Sequence, residues 1–235
     1  RQILSTDAIE IGVSENLVEY PWELMHNGGE FICLSNSIGR YVVIDGDEDL
    51  PSIRKEDRKK LRILIVGDPC GNGEKKYKAP FDYLQDLPGA RTEAQILAEF
   101  LRAIEGVEVS LYVGDELDTV GFLSELSSDY DFIHFTGHAV FSNTDPYQSG
   151  LILHDGIVPA YEILQCIASQ QQPPALVFVN ACESGKEIDW TNQTEYANQV
   201  FGLASAFLKG GVNYLGAIWP LHDAPAIEIA LLFYR

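Results

Sequence analysis

Basic residues are scarce in this sequence. It has 16 Lys and Arg against 35 Asp and Glu among 235 residues, which gives a formal net charge of −19. Nucleic-acid phosphates require compensating cations, so this balance argues against a direct nucleic-acid partner. It disfavours an anionic membrane surface for the same reason. An excess of acidic residues commonly serves solubility, and it would attract a basic protein segment as a partner.

Long apolar segments are also missing. No run approaches the roughly 18–20 residues that span a bilayer, and the first residues lack the charged stretch and apolar core of a signal peptide. We therefore expect a cytoplasmic protein with no membrane association. The chain does not begin with Met and stops within a predicted helix at 224–234, so we also expect a fragment of a longer polypeptide.

The four cysteines are widely spaced, at positions 33, 70, 166 and 182, and form no C-x-x-C pair. They do not have the pattern of a disulfide framework or a zinc ribbon, and a reducing cytoplasm fits them best. Cys33 and Cys166 lie in apolar segments typical of small core residues, and Cys70 lies in a Gly-rich loop. Only Cys182 directly follows a predicted strand.

The chain divides into two sections in our interpretation. Residues 1–52 form an N-terminal section of short elements and residues 53–235 form the α/β core, and we expect the two to make one compact unit. In the N-terminal section, one helical turn is predicted at Tyr20–Met25. Phe31–Leu34 and Arg40–Ile44 are then predicted to pair as a hairpin after the turn signal at Asn27-Gly28-Gly29.

Strands and helices alternate from residue 61 onward. Strands are predicted at 61–66, 107–113, 130–135, 176–179 and 212–217, with a short extended pair near 150–153. Helices are predicted at 92–104, 117–126, 160–168, 197–208 and 224–234. This alternation predicts an α/β fold: a mostly parallel central sheet flanked by helices, with a small N-terminal β-rich section.

The sequence argues against two kinds of site, a phosphate-binding loop and a zinc site. Gly67–Gly73 follows a strand as a phosphate-binding loop would, but it lacks the Lys-Ser/Thr pair and includes Asp68 and Pro69. His134 and His138 are four residues apart, which suits zinc on a helix, but His134 lies in a predicted strand and no Glu follows it. We expect His134 in the core, and we predict no metal and no cofactor.

The carboxyl ends of two predicted strands carry a thiol and an imidazole. Cys182 follows the apolar run 175–179, and His138 follows the run 130–135. This edge of an α/β sheet is where ligands and chemistry collect. A thiol near an imidazole ionises more readily and attacks an acyl carbon, and the backbone amides of Cys182 and Ala139 would form an oxyanion hole. There is also an alternative in which Cys182 is a buried residue, His138 is a structural one, and the two never meet. From the spacing alone, this alternative has about the same weight as the catalytic pair.

Seven segments add a further pattern. They are Tyr20–Met25, Leu87–Ala94, Phe135–Ala139, Ser149–Gly156, Val179–Gly185, Gly202–Gly211 and Ile218–Asp223. In this order they resemble the CHAT domain, a caspase-like domain often found with TPR repeats. The resemblance implies a caspase/separase-type fold and a cysteine endopeptidase in which His138 and Cys182 form the catalytic dyad.

The resemblance also implies where substrate binds. In related caspase-like peptidases the residue two before the cysteine lines the P1 pocket, and an acid there favours Arg or Lys. Here that residue is Asn180, a neutral donor and acceptor, so polar and apolar P1 residues both stay open. Trp219 and Asp223 are further candidates for the pocket. The family usually has Gly after the His, and we expect Ala139 to place a Cβ beside the scissile bond.

The resemblance further implies a protein or peptide substrate and control by a regulatory partner or a fused repeat domain. Two other functions use the same sequence features. One is a non-catalytic interaction module with the same fold, and the other is hydrolysis of a non-peptide thioester or ester.

Overall fold

The computed structural model describes residues 8–14, 17, 22–43, 60–71, 84, 86–140, 142, 145–182, 203–204, 206–216 and 223–235. As predicted, they form a mostly parallel central sheet flanked by helices, with a small N-terminal section of strands. The strands are β1 (Ile9–Ser14), β2 (Ile38–Val43), β3 (Leu61–Gly67), β4 (Val107–Val113), β5 (Phe132–Val140), β6 (Gly150–Ile152), β7 (Ile157–Pro159), β8 (Leu176–Cys182) and β9 (Asn213–Gly216). The longer helices are α1 (Pro88–Arg102), α2 (Thr119–Leu126), α3 (Ala160–Ala168) and α4 (Asp223–Phe233).

The central sheet has parallel strands in the order β4, β3, β5, β8, β9. Their carboxyl ends therefore meet at one edge. Beyond the parallel part, the end of β5 pairs antiparallel with β6, which in turn pairs antiparallel with β7. Strand β5 is consequently bonded to three other strands and forms the centre of the described structure.

Apolar clusters cover both faces of the sheet. One cluster joins β5 and β8 to α2 and α3, and the other joins β3 to α1 and the end of α4. Residues 63–66 of β3 are fully buried, because a central parallel strand is covered on both faces and is apolar throughout. Among the described helices, none is both long and apolar enough to cross a membrane.

Helix α1 packs closely on β3 because its apolar residues recur at helical spacing. It begins at Pro88, whose fixed φ suits the first turn. The buried residues on its inner stripe include Ala90, Ala94, Leu97, Ala98 and Leu101. Gly67, the last residue of β3, lies so near the helix that a Cβ there would overlap the Cβ of Ala94 and approach the Ala90 carbonyl oxygen at 3.3 Å.

We expect Gly67→Ala to lower the free energy of unfolding by about 1–3 kcal/mol, because the added methyl group would push α1 away from the sheet. Urea unfolding followed by circular dichroism measures the change. Gly39→Ala is the matched control: it is also a strand glycine, and a Cβ at 39 meets nothing within 4 Å. Equal stability of the Gly67→Ala and Gly39→Ala variants would contradict the close packing of α1 on β3.

The predicted N-terminal hairpin is wrong. Ile32–Leu34 is a single 3-10 turn, and β2 pairs in parallel with β1 instead. The segment turns because the backbone N–H and the side-chain Nδ2 of Asn36 both donate to the carbonyl oxygen of Ile32, at 2.9 and 3.2 Å. Local side-chain bonds of this kind compete with strand pairing. Cys33, expected in the core, is exposed.

Strand β5 is longer than predicted and continues through residues 136–140. Its last two residues, Ala139 and Val140, pair with Leu151 and Gly150 of β6, which keeps the backbone extended past Gly137. His138 therefore lies within a strand rather than in a loop after it. Similarly, β8 includes Cys182 as its last residue.

Candidate active site

His138 and Cys182 are register partners on adjacent parallel strands. The pairing of β5 with β8 runs from Phe132 opposite Leu176 to His138 opposite Cys182. Neighbouring strands lie about 4.8 Å apart, and positions paired in register share one face of a sheet. The backbone thus brings together the two positions that were predicted from separate strand ends, at the carboxyl edge of the sheet.

His138 is completely buried, at 0% exposure. Because side chains alternate along a strand, His138 lies on the same face as Thr136 and His134, which is the face covered by α1. Ala139 lies on the other face and is 2% exposed within the cluster that contains α2 and α3. Its methyl group packs in that core cluster, which corrects the expectation that it would lie beside the scissile bond.

A buried carboxylate links α1 to both strands just below this edge. The Nδ2 atom of Asn180 donates to Glu93 Oε1 at 3.1 Å and to Oε2 at 2.8 Å. His134 Nε2 lies 2.9 Å from Glu93 Oε1. All three side chains are buried, and His134 is in the core as predicted.

Glu93 belongs to the segment Leu87–Ala94 that resembles the family, but no role was predicted for it from the sequence. A signal was present, because Glu93 occupies the inner stripe of α1, three residues after Ala90 and four before Leu97. A carboxylate on a buried stripe needs a partner, since an unpaired buried charge is very costly. Which partner it finds depends on the two strands that pass beneath the helix.

A second acidic group lies at the carboxyl end of β3. Asp68 is fully buried, has a left-handed φ of +42°, and donates its backbone N–H to the Thr136 carbonyl oxygen at 2.7 Å. Its Oδ2 pairs with Arg91, whereas its Oδ1 has no hydrogen-bond partner in the described part of the chain. Burial raises the pKa of Asp68 to about 6, because removing the carboxylate from water outweighs the attraction of Arg91.

Arg91 also binds Asp86 through two hydrogen bonds, Nη1 to Oδ1 at 2.6 Å and Nη2 to Oδ2 at 2.8 Å. These hydrogen bonds lower the pKa of Asp86, with smaller contributions from the charges of Arg91 and His138. Asp86 is therefore close enough to His138 to interact with it electrostatically.

Cys70 is excluded as the reactive thiol. It is buried, and its Sγ donates to the carbonyl oxygen of Ile152 at 2.9 Å. Burial, followed by the negative charges of Asp68 and Asp155, raises the pKa of its thiol far above the ordinary range. Because the thiolate is the nucleophile, this cysteine is chemically inert at neutral pH.

The structure describes some, but not all, of the remaining predicted site residues. Asn180 lies on β8 in contact with Glu93, as described above. Asp223 is the first residue of α4, and Trp219 lies outside the described residues. The predicted oxyanion amides of Ala139 and Cys182 belong to β5 and β8, one residue apart in register.

The sheet order, the flanking helices and the register of the two strand ends define a caspase-like α/β fold. The chain belongs to the CHAT domain family, whose family model matches residues 4–235. That family is related to the caspase-like cysteine peptidases. No curated protein matches the chain.

Proposed function

We propose that this chain is a cysteine endopeptidase that cleaves a protein or peptide substrate with a dyad of Cys182 and His138. The observation that carries the proposal is their register pairing at the carboxyl edge of the sheet. Family membership supports it, because the match covers almost the whole chain. The inert environment of Cys70 supports Cys182 as the nucleophile.

The reaction uses two covalent steps. The Cys182 thiol gives its proton to the His138 imidazole, and the sulfur attacks the peptide carbonyl carbon. The amides of Ala139 and Cys182 hold the oxyanion that forms. The C–N bond then breaks as His138 protonates the leaving amine, and water hydrolyses the thioester to release the acid and the free thiol. The scheme requires no cofactor and no metal.

Substrate access requires a change at this site. His138 has no exposed surface, so its imidazole does not meet a substrate in the described arrangement. This burial supports control by a regulatory partner or a fused repeat domain. The proposed P1 pocket is formed by Asn180, Trp219 and Asp223, and a thiol nucleophile is suited to the reducing cytoplasm.

The same burial of His138 favours a second candidate function, a CHAT-domain interaction module without catalysis. The two functions differ in the reactivity of Cys182. A module needs no activated thiol, whereas a peptidase requires one that attacks a peptide-like electrophile.

A peptidyl acyloxymethyl ketone tests the proposal. We expect mass spectrometry of the digested protein to show the adduct on Cys182, and His138→Ala to slow its formation at least about 100-fold, as loss of a general base does. Cys33 is the internal control, because it is an exposed thiol outside the site. Labelling of Cys33 without Cys182 would favour the interaction module.

A further inference from the structure

The amide of Asn180 has one fixed orientation. Its Nδ2 contacts both carboxylate oxygens of Glu93, and a carboxylate accepts hydrogen bonds, so the nitrogen must face Glu93. The Oδ1 atom is at the opposite end of the amide and makes no hydrogen bond within the part of the chain that the structure describes. Asn180 therefore presents its oxygen, a hydrogen-bond acceptor, away from Glu93.

Glu93 is itself held in place from the other strand. Its Oε1 lies 2.9 Å from His134 Nε2. The His134 ring packs edge-on against Phe178 at a centroid distance of 4.8 Å, and its Nδ1 lies 3.4 Å from the hydroxyl of Tyr234. Rotation of the Asn180 amide would turn its oxygen toward the carboxylate and leave Glu93 Oε2 without its buried donor.

The acceptor lies directly below the dyad positions. Asn180 precedes Cys182 by two residues, and its register partner Thr136 precedes His138 by two. Positions two residues apart in a strand lie on the same face of the sheet. Asn180 therefore lies on the same face as the two dyad positions. At the adjacent end of β3, the buried Oδ1 atom of Asp68 also has no hydrogen bond in the described residues.

Resting on the proposed function, we propose that Glu93 is a positioning residue that presents Asn180 as an acceptor, so that the site selects a P1 side chain with an N–H donor. Lysine, arginine, glutamine and asparagine have such a donor. An aliphatic P1 residue leaves the Asn180 oxygen unpaired, and an acidic P1 residue brings a further acceptor to that oxygen. Sites built to hydrogen-bond a substrate group discriminate strongly against analogues without it.

The test uses three acyloxymethyl ketones with the same P2–P4 residues and lysine, norleucine or aspartate at P1. The rate of Cys182 modification by each probe is measured by mass spectrometry. We expect lysine to react at least about tenfold faster than norleucine, and aspartate to react slowest. In Glu93→Gln the new amide has both a donor and an acceptor, so Asn180 can turn, and we expect the lysine-to-norleucine ratio to fall below about threefold.

Glu99→Gln is the matched control, because Glu99 is on the same helix and is exposed; it should keep the wild-type ratio. Asn180→Leu is a second variant that does not depend on Glu93, and it should favour norleucine. If Glu93→Gln slows all three probes equally and keeps the ratio, its role is only structural and the inference is overturned. Equal or faster reaction of norleucine or aspartate with the wild type overturns it too, while the endopeptidase proposal stands. Absence of Cys182 modification by any probe overturns both.

Discussion

Cys182→Ala is expected to abolish peptide cleavage, lowering the rate by at least about 10³-fold, as loss of a catalytic nucleophile does in other hydrolases. The cause is chemical: alanine has no group that forms the acyl intermediate, and the buried thiol of Cys70 has its pKa raised by burial. A peptide-library digest analysed by mass spectrometry, with the activating partner where one is required, measures the loss.

The fold should survive this replacement, because Cys182 is the last residue of β8 and alanine keeps the backbone pairing with His138. Circular dichroism and thermal unfolding establish that point. Cys33→Ala provides the matched control, since it removes an exposed thiol that lies in a 3-10 turn and not on β5 or β8, and it should cleave like the wild type. An unchanged digest with the Cys182→Ala protein would remove Cys182 from the mechanism.

Asp68→Asn is expected to raise the free energy of unfolding at pH 8 by about 1–3 kcal/mol. The carboxyl group has its pKa raised from 3.8 to about 6 because it is fully buried. Its ionised form is therefore less favourable in the folded than in the unfolded protein. Asparagine removes the charge, can still accept from Arg91, and tolerates the left-handed φ of +42°.

The effect depends on pH in a defined direction. When the pKa of a group is higher in the folded than in the unfolded protein, its contribution to stability is fully present at a pH below the unfolded pKa. That contribution is lost as the pH rises through the folded pKa. The advantage of Asp68→Asn should thus be full at pH 8, shrink from about pH 6 downward, and vanish near pH 4. Urea unfolding at pH 8, 6 and 4.5 measures it.

Asp86→Asn should change the free energy of unfolding at pH 8 in the opposite direction, and it serves as the comparison. Hydrogen bonds from Arg91 lower the pKa of Asp86, so its ionised form stabilises the fold above its unfolded pKa and that contribution is lost at acid pH. We expect Asp86→Asn to destabilise the protein at pH 8 and to have little effect near pH 3. Destabilisation by Asp68→Asn at pH 8 would show that the attraction of Arg91 outweighs the cost of burial.

Periodicity was sufficient to predict most of the α/β core. Val107–Val113 and Ala160–Ala168 have the bounds expected from their apolar patterns, because these elements bury one continuous set of side chains. The N-terminal hairpin could not be predicted in the same way. Phe31 and Leu34 are apolar yet exposed, and the local bonds of Asn36 to Ile32 decide the backbone there.

The site was predictable in part for a related reason. That two strands end at one edge follows from parallel pairing, so the proximity of the His138 and Cys182 positions was expected from the pattern. The partners of Glu93 and Asp68 were not, because each contact joins α1 to a strand that is distant in sequence. Such contacts depend on the angle and height at which the helix crosses the sheet.

The link from Glu93 to Asn180 and His134 has a consequence for folding. If β8 slipped by one residue against β5, Cys182 would pair with Gly137 or Ala139 and its side of the sheet would be reversed. The same slip would turn Asn180 away from α1 and leave the Glu93 carboxylate buried without its amide donor. The polar contact therefore penalises misaligned strands, so the native alignment that unites the dyad positions is also the one in which Glu93 keeps its buried amide donor.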